Sequence, residues 1–92
     1  MKNEFKNWLI KQGYSEFTPK GYPSTVYDYL GRIERVMIWE RITTWSAIQE
    51  QINRLVSEYG EFGIKANLGK RSHNAVISAL KAFQRFCVEC NH

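Results

Sequence analysis

The chain has 92 residues, the size of one small domain, of which 43% are hydrophobic and 14% aromatic. Its net charge of +4 favours nucleic acid or an anionic surface as the partner. Gly and Pro are too few for a disordered chain, and neither a membrane-spanning apolar run nor a secretory signal is present, so we expect a cytoplasmic domain with reduced cysteines and no membrane association.

A short helix is predicted at the start of the chain, from Lys2 to Gln12. Gly13 is placed to end it, because glycine readily adopts the backbone conformation that closes a helix. The inner face of this helix is formed by Phe5, Trp8 and Leu9. Residues 14–23 are rich in Gly and Pro and are predicted to be a loop, with Phe17 and Tyr22 anchoring it to the core.

The second predicted helix runs from Thr25 to about Trp39, with Ser24 as its N-cap. Its apolar stripe consists of Val26, Tyr29, Leu30, Ile33, Val36 and Met37. Gly31 interrupts this helix at a cost of about 1 kcal/mol relative to alanine. Two explanations remain open: another helix packs closely against Gly31, or the backbone of a ligand approaches it.

A third helix is predicted from Trp45 to Tyr59, capped by the hydroxyl of Thr44 and ended by Gly60. Its inward residues are Ile48, Ile52, Leu55, Val56 and Tyr59. Its outer side is neutral to acidic, which makes it a poor surface for DNA. Residues 61–70 contain two glycines and are predicted to be a flexible loop.

The fourth predicted helix, from Arg71 to Glu89 with Ser72 as N-cap, carries the strongest functional signal. Its apolar residues recur at helical spacing and are Val76, Ala79, Leu80, Phe83, Phe86 and Cys87. The opposite face consists of Arg71, Asn74, Ser78, Lys81 and Arg85. A solvated helix face usually mixes both signs of charge, but this face has no acid before Glu89. It is therefore either a surface for a polyanion or a helix that is merely basic.

The pattern as a whole predicts an all-α domain over residues 1–92, built from four helices, with no strand-like alternation. For DNA, phosphates are expected at the amino-terminal turn of the fourth helix, where unpaired amides and Lys70 lie together. Asn74 and Arg71 are the best candidates for base edges. The full set of candidate DNA-binding residues is Lys20, Thr25, Arg32, Arg35, Lys70, Arg71, Ser72, His73, Asn74, Ser78, Lys81 and Arg85.

Enzymatic and metal-binding functions find little support in the sequence. Cys87 and Cys90 form a C-x-x-C pair, but a zinc site needs a second pair of ligands, and Asn91 stands where haem attachment requires histidine. No nucleophile–base set, paired carboxylates or phosphate-binding glycine loop is present. We therefore expect no cofactor, no metal, no small-molecule substrate and no catalysis, with the three Trp residues in the core or at its rim.

Five segments of the sequence together carry a family resemblance. They are Phe5, Trp8 and Leu9; Gly13-Tyr14-Ser15; Ser24-Thr25-Val26 with Tyr29 and Leu30; Trp45-Ser46-Ala47-Ile48; and the run SALKAFQRF at 78–86. This arrangement resembles the N-terminal core-binding, or SAM-like, domain of the phage-integrase (tyrosine recombinase) family, from about Phe5 to Val88. The matched positions are mostly core positions, so the motif is moderately specific.

The resemblance implies a compact four-helix bundle that forms half of a clamp around duplex DNA and contacts other protomers. The catalytic domain of the family would follow the present sequence, so none of its catalytic residues is transferred here. The chain is then either a piece of a longer recombinase or a stand-alone relative. The rival interpretation is a helical protein-interaction domain without DNA binding, which an exposed apolar patch near Ile38, Trp39, Ile42 or Val88 would favour.

Overall fold

A computed structural model describes residues 1–90, and over this range the chain is a compact helical domain without β-strands. An isolated antiparallel bridge joins Phe17 to Pro23. The six helices are α1 (Lys2–Lys11), α2 (Thr25–Glu40), α3 (Trp45–Glu50), α4 (Ile52–Tyr59), α5 (Ala66–Gly69) and α6 (Arg71–Glu89). The all-α prediction is confirmed. Within the described residues, no helix is long and apolar enough to cross a membrane.

The first two helices begin and end close to their predicted positions. Gly13 follows α1 with a φ of 94°, and its amide donates to the carbonyl of Ile10, as expected for a glycine that ends a helix. Ser24 precedes α2, but its hydroxyl makes no capping hydrogen bond. Instead, the amide of Val26 donates to the carbonyl of Ser15 at 3.0 Å. The preceding loop thus provides a hydrogen-bond acceptor for one of the amides that have no partner in the first turn of α2.

The third predicted helix is two helices, α3 and α4, which are separated at Gln51. The backbone there leaves the helical region (φ −105°, ψ 5°), and the Gln51 amide donates to the carbonyl of Ile48 in a tighter turn. Thr44 caps α3 as predicted, since its hydroxyl accepts from the Ala47 amide at 3.1 Å. Gly60 ends α4, and the segment predicted as a flexible loop contains the short helix α5.

The start of α6 differs from the prediction in its handedness. Ser72, His73 and Asn74 all have positive φ values, between 55° and 69°, and the chain is kinked there. Ser72 is therefore not the N-cap, and no side chain caps this helix. Left-handed residues other than glycine cost about 1–2 kcal/mol each, with Asn the most tolerant, so helical periodicity alone gives no warning of such a turn.

The core is formed by the faces that the periodicity predicts. An aromatic cluster joins α1 to α6: the ring of Phe5 lies 5.0 Å from Phe83 and 5.4 Å from Phe86. All predicted apolar positions of α1 and α6 are buried, and in α2 and α4 only Tyr29 and Val56 are half-buried. Burying each of the large aliphatic and Phe side chains among them stabilises the fold by roughly 1.5–3 kcal/mol.

The structure modifies the expected anchoring of the early loop and rules out one of the two explanations of Gly31. Tyr22 is exposed, whereas Phe17 is half-exposed and packs its ring on Tyr27 of α2 at 5.6 Å. The loop is also held by Tyr14, which packs on Tyr29 at 5.3 Å. Gly31 is exposed, and a Cβ added there would meet no atom within 4 Å. Close packing of another helix is therefore not the reason for this glycine.

Candidate nucleic-acid interface

A basic part of the surface lies where α2 and α6 pack together in antiparallel directions. Arg71, at the start of α6, lies over the ring of Trp39 near the end of α2, with its guanidinium carbon 5.6 Å from the ring centroid. Two turns further along α6, Ser78 interacts with Tyr29 in the first half of α2. The two helices thus run alongside each other and present a shared outer surface.

A groove between these helices collects three arginines, and we call it the arginine groove. It is lined by Arg32, Arg35, Trp39, Arg71, Ser72 and Val76. On α2, Arg32, Arg35 and Trp39 follow one another at helical spacing, which places them on one face. Arg71 is fixed against Trp39 from the side of α6, because a guanidinium over an aromatic face is attracted by its negative potential.

Arg32 has a donor that the protein leaves without a partner. Its terminal nitrogen pairs with Asp28 at 3.3 Å, one helical turn earlier. Its Nε is buried and, within residues 1–90, hydrogen-bonds to no protein atom. An unsatisfied buried donor is unfavourable by about 1–3 kcal/mol.

A second groove lies on the other side of the first turns of α6, and we call it the lysine groove. It is lined by Tyr59, Glu61, Lys70, Asn74, Ile77, Ser78 and Lys81. Lys70 and Arg71 are adjacent in the chain and line different grooves, so residues 70–78 form a ridge with a basic groove on each flank.

The pairing of charges shows which cations are available to a ligand. Six basic side chains form salt bridges with carboxylates: Lys2, Lys6, Arg32, Arg54, Lys65 and Arg85. Within residues 1–90 the remaining basic side chains pair with no carboxylate: Lys11, Lys20, Arg35, Arg41, Lys70, Arg71 and Lys81. Four of the unpaired cations, Arg35, Lys70, Arg71 and Lys81, line the two grooves.

The structure brings eight of the twelve candidate DNA-binding residues to the two grooves and leaves four apart. Lys20 is exposed in the turn between Thr18 and Gly21, and Thr25 begins α2 without lining either groove. His73 is exposed on the ridge. Arg85 lies 5.3 Å from the ring of Trp8, toward α1, and pairs loosely with Glu89 at 3.5 Å.

Two consequences follow for the expected basic stripe of α6. Arg71, Lys81 and Arg85 do not form one line, since Arg71 faces α2, Lys81 lines the lysine groove and Arg85 faces α1. The expected phosphate site at a regular helix terminus is also absent, because residues 72–74 are left-handed. The basic surface is built instead from side chains of two helices.

The aromatic and acidic components of these grooves were not predicted from the sequence. Trp39 and Tyr59 stack at 6.2 Å with their planes 10° apart, which supports Arg71 from below. The spacing of Arg32, Arg35 and Trp39 on one helix face was available in the sequence as a signal. The place of Glu61 in the lysine groove was not, because it depends on how the loop after α4 folds back.

Metal-binding and thiol chemistry are not organised around this surface. Within residues 1–90, no group of three or more His, Cys, Asp or Glu side chains is arranged to hold a metal ion. Cys87 is buried, and this burial raises the pKa of its thiol to about 11, whereas Cys90 is exposed and both thiols are free. Asn91 and His92, considered with this motif above, lie outside the described residues.

Comparison of the chain with protein-family models, with curated proteins and with solved structures finds no match.

Proposed function

We propose that this protein binds duplex DNA without catalysing a reaction, as the core-binding domain of an integrase-type site-specific recombinase. The proposal includes the finer fold assignment, a SAM-like bundle in which α1, α2, the α3–α4 pair and α6 correspond to the four helices of that family. A recombinase acts on DNA inside the cell, so the proposed location is the cytoplasm, and the proposed partners are duplex DNA and other protomers.

The observation that carries the proposal is the set of unpaired cations around the start of α6. Arg35, Lys70, Arg71 and Lys81 pair with no carboxylate among residues 1–90 and line two neighbouring grooves. Elsewhere most cations are neutralised, so this concentration is not a consequence of overall charge. Cations that neutralise phosphates release bound counterions, and this release is the main source of affinity for DNA.

The geometry suggests which contacts position the DNA and which read its sequence. Arg35, Lys70 and Lys81 suit phosphate oxygens, which position the protein without carrying sequence information. Asn74 is exposed on the ridge between the grooves, where its amide is free to meet a base edge. Arg71 retains its N–H edge for guanine while its face rests on Trp39.

The direct test is a fluorescence-anisotropy titration of a labelled duplex over a series of salt concentrations. If the four unpaired cations of the grooves (Arg35, Lys70, Arg71 and Lys81) neutralise phosphates, the slope of log affinity against log salt is about −3.6. In the double variant Arg35→Ala/Arg71→Ala, we expect the slope to shrink by about 1.8 and the affinity at low salt to fall at least about tenfold.

A matched control removes the same net charge from another part of the surface. Lys11 and Arg41 are also unpaired within the described part of the chain, but neither lines the two grooves. The Lys11→Ala/Arg41→Ala variant should retain the slope of the unmodified protein. A slope near zero for the unmodified protein, or equal losses in both double variants, would contradict the proposal.

The second candidate function is a protein-interaction domain without DNA binding. It is favoured by a shallow apolar groove on α2 and the following turn, lined by Glu34, Met37, Ile38, Arg41, Ile42 and Thr43. Ile38 is 66% exposed there, on a side of α2 that does not face α6. Binding of duplex that depends on Arg35 and Arg71 would favour the first function over this one.

A further inference from the structure

The loop between α4 and α5 exposes two large apolar side chains beside the lysine groove. Phe62 is 95% exposed and Ile64 is 85% exposed, more than any other large apolar residue described. Isolated exposed apolar residues are common on protein surfaces, but two on one short loop contribute nothing to this core. The loop is continuous with the basic surface, since Glu61, which precedes Phe62, lines the lysine groove.

The backbone of this loop is firmly held although its side chains point outward. The amide of Gly63 donates to the carbonyl of Gly60 at 3.0 Å, and the amide of Lys65 donates to the carbonyl of Glu58 at 2.8 Å. A Cβ at Gly63 would collide with the carbonyl oxygen of Glu58, so the close return of the chain requires glycine. The ammonium group of Lys65 pairs with Glu40 and Glu58, which ties the end of the loop to α2 and α4.

From these observations we infer that Phe62 and Ile64 form a wedge that enters between base pairs of bound duplex and kinks it. The inference rests on the proposed function and extends it from holding DNA to deforming it. Apolar side chains such as Phe and Ile act as wedges in proteins that bend DNA from the minor groove. They need a rigid support and nearby cations that hold the flanking phosphates, and this loop has both.

Charge favours DNA as the occupant of this apolar tip over a protein partner. The lysine groove, which Glu61 of this loop lines, also carries the unpaired cations Lys70 and Lys81. Glu61 is the acid among the residues that line this groove, and its carboxylate repels phosphates. Phosphates are therefore directed to the side of the groove that carries the lysines, and the wedge enters the duplex beside them. An apolar partner surface would instead have to cover these two cations without neutralising them.

The test compares two duplexes of equal length, one with flexible TA steps and one with a stiff A-tract. Both carry a fluorescence donor and acceptor at their ends, and 2-aminopurine reports unstacking at the central step. We expect the protein to kink the TA duplex by about 20–90°, to brighten 2-aminopurine there and to bind the A-tract several-fold more weakly.

The variant Phe62→Ser/Ile64→Ser should lose the kink and the preference for TA steps, while its salt slope stays the same because the phosphate contacts remain. Its melting temperature should also be unchanged, since both side chains lie outside the core. The matched control is Ile38→Ser, which removes an exposed apolar residue from the apolar groove and should behave like the unmodified protein.

The outcomes separate the wedge from the proposed function. Salt-dependent binding without bending, or equal bending by the loop variant, overturns the wedge and leaves DNA binding intact. Failure to bind either duplex at low salt overturns both. A dimer in sedimentation that the loop variant abolishes would assign Phe62 and Ile64 to self-association and overturn the wedge.

Discussion

Two charged regions of this molecule lie within a few residues of each other and differ in how their charges are paired. Around Glu40, a carboxylate network formed by Glu40, Arg54, Glu58, Tyr59 and Lys65 pairs each charged group internally. Around the start of α6, cations from two helices remain unpaired with any carboxylate of residues 1–90. The first arrangement holds the end of α2 against α4 and the following loop, and the second leaves charge available to a ligand.

The contrast shows why net charge is a poor guide to function in this chain. Arg54 and Lys65 count toward the charge of +4 as fully as Arg35 and Arg71, yet they are already occupied. Only the pairing in the folded structure distinguishes the two groups. If the distinction is correct, substitutions in the network should alter stability, and substitutions in the grooves should alter binding.

The largest effect is expected for Glu40→Ala. The Glu40 carboxylate is 7% exposed, accepts from the Tyr59 hydroxyl at 2.8 Å and pairs with Lys65 at 2.5 Å. Its loss leaves the hydroxyl of the buried Tyr59 without its acceptor and removes one of the two carboxylates that pair with Lys65 and Arg54, which keep Glu58. We therefore expect the free energy of unfolding to fall by about 2–3 kcal/mol. This figure is discounted from that of a fully buried pair because Lys65 and Arg54 are partly exposed. Urea denaturation measures it.

A surface pair provides the control for Glu40→Ala. Glu34 pairs with Lys2 at 3.1 Å, and both side chains are about half exposed. Exposed pairs contribute about 0–1 kcal/mol, so Glu34→Ala should alter stability far less. Equal losses for the two variants would show that the network does not stabilise the fold more than an ordinary surface pair does.

The acid range provides a second, smaller effect on the same network. Burial acts to raise the pKa of Glu40, but hydrogen bonds from Lys65, Tyr59 and Arg54 outweigh it and hold this pKa below its ordinary value of 4.5. A carboxyl whose pKa is lowered by folding stabilises the protein above its unfolded pKa. That contribution is lost as the pH falls through the folded pKa. Stability should therefore decrease below about pH 4.5, and the decrease should be shallower in Glu40→Gln, as urea titrations at several pH values can measure.

The smallest effect is expected for Gly31→Ala, on the exposed side of α2. Because nothing lies within 4 Å of the added methyl group, the substitution should raise the free energy of unfolding by about 0.5–1 kcal/mol through helix propensity alone. The explanation by close approach of a ligand predicts weaker duplex binding by the same variant. A loss of stability, measured by thermal unfolding, would contradict the open surroundings of Gly31.

Helical periodicity was sufficient to predict the architecture and most of the core. It places Phe5, Leu80 and Phe83 inside because a helix buries one face, whatever the details of its neighbours. It does not reveal the break at Gln51, since the apolar spacing of Ile48 and Ile52 fits both one continuous helix and two short ones. The left-handed residues after Arg71 were equally inaccessible, because Ser, His and Asn are all common in a first helical turn.

The candidate interface could be predicted in composition but not in arrangement. Arg35 and Arg71 were identified by charge and helix face, yet their meeting in one groove depends on the antiparallel packing of α2 and α6. The same packing turns Arg85 toward Trp8 and removes it from that groove. Phe62 gave no signal, because a single aromatic residue in a Gly-containing loop looks the same whether it covers the core or extends into solvent.

The unequal environments of Cys87 and Cys90 provide an internal reporter of conformational opening. Iodoacetamide reacts with thiolates, so in the native protein it should label the exposed Cys90 and spare Cys87, which is buried and has a pKa of about 11. Cys87 lies in the aromatic core of α6, and its alkylation requires that this helix detach from its neighbours. The rate of the second alkylation therefore measures how often the core opens, with no label other than the reagent itself.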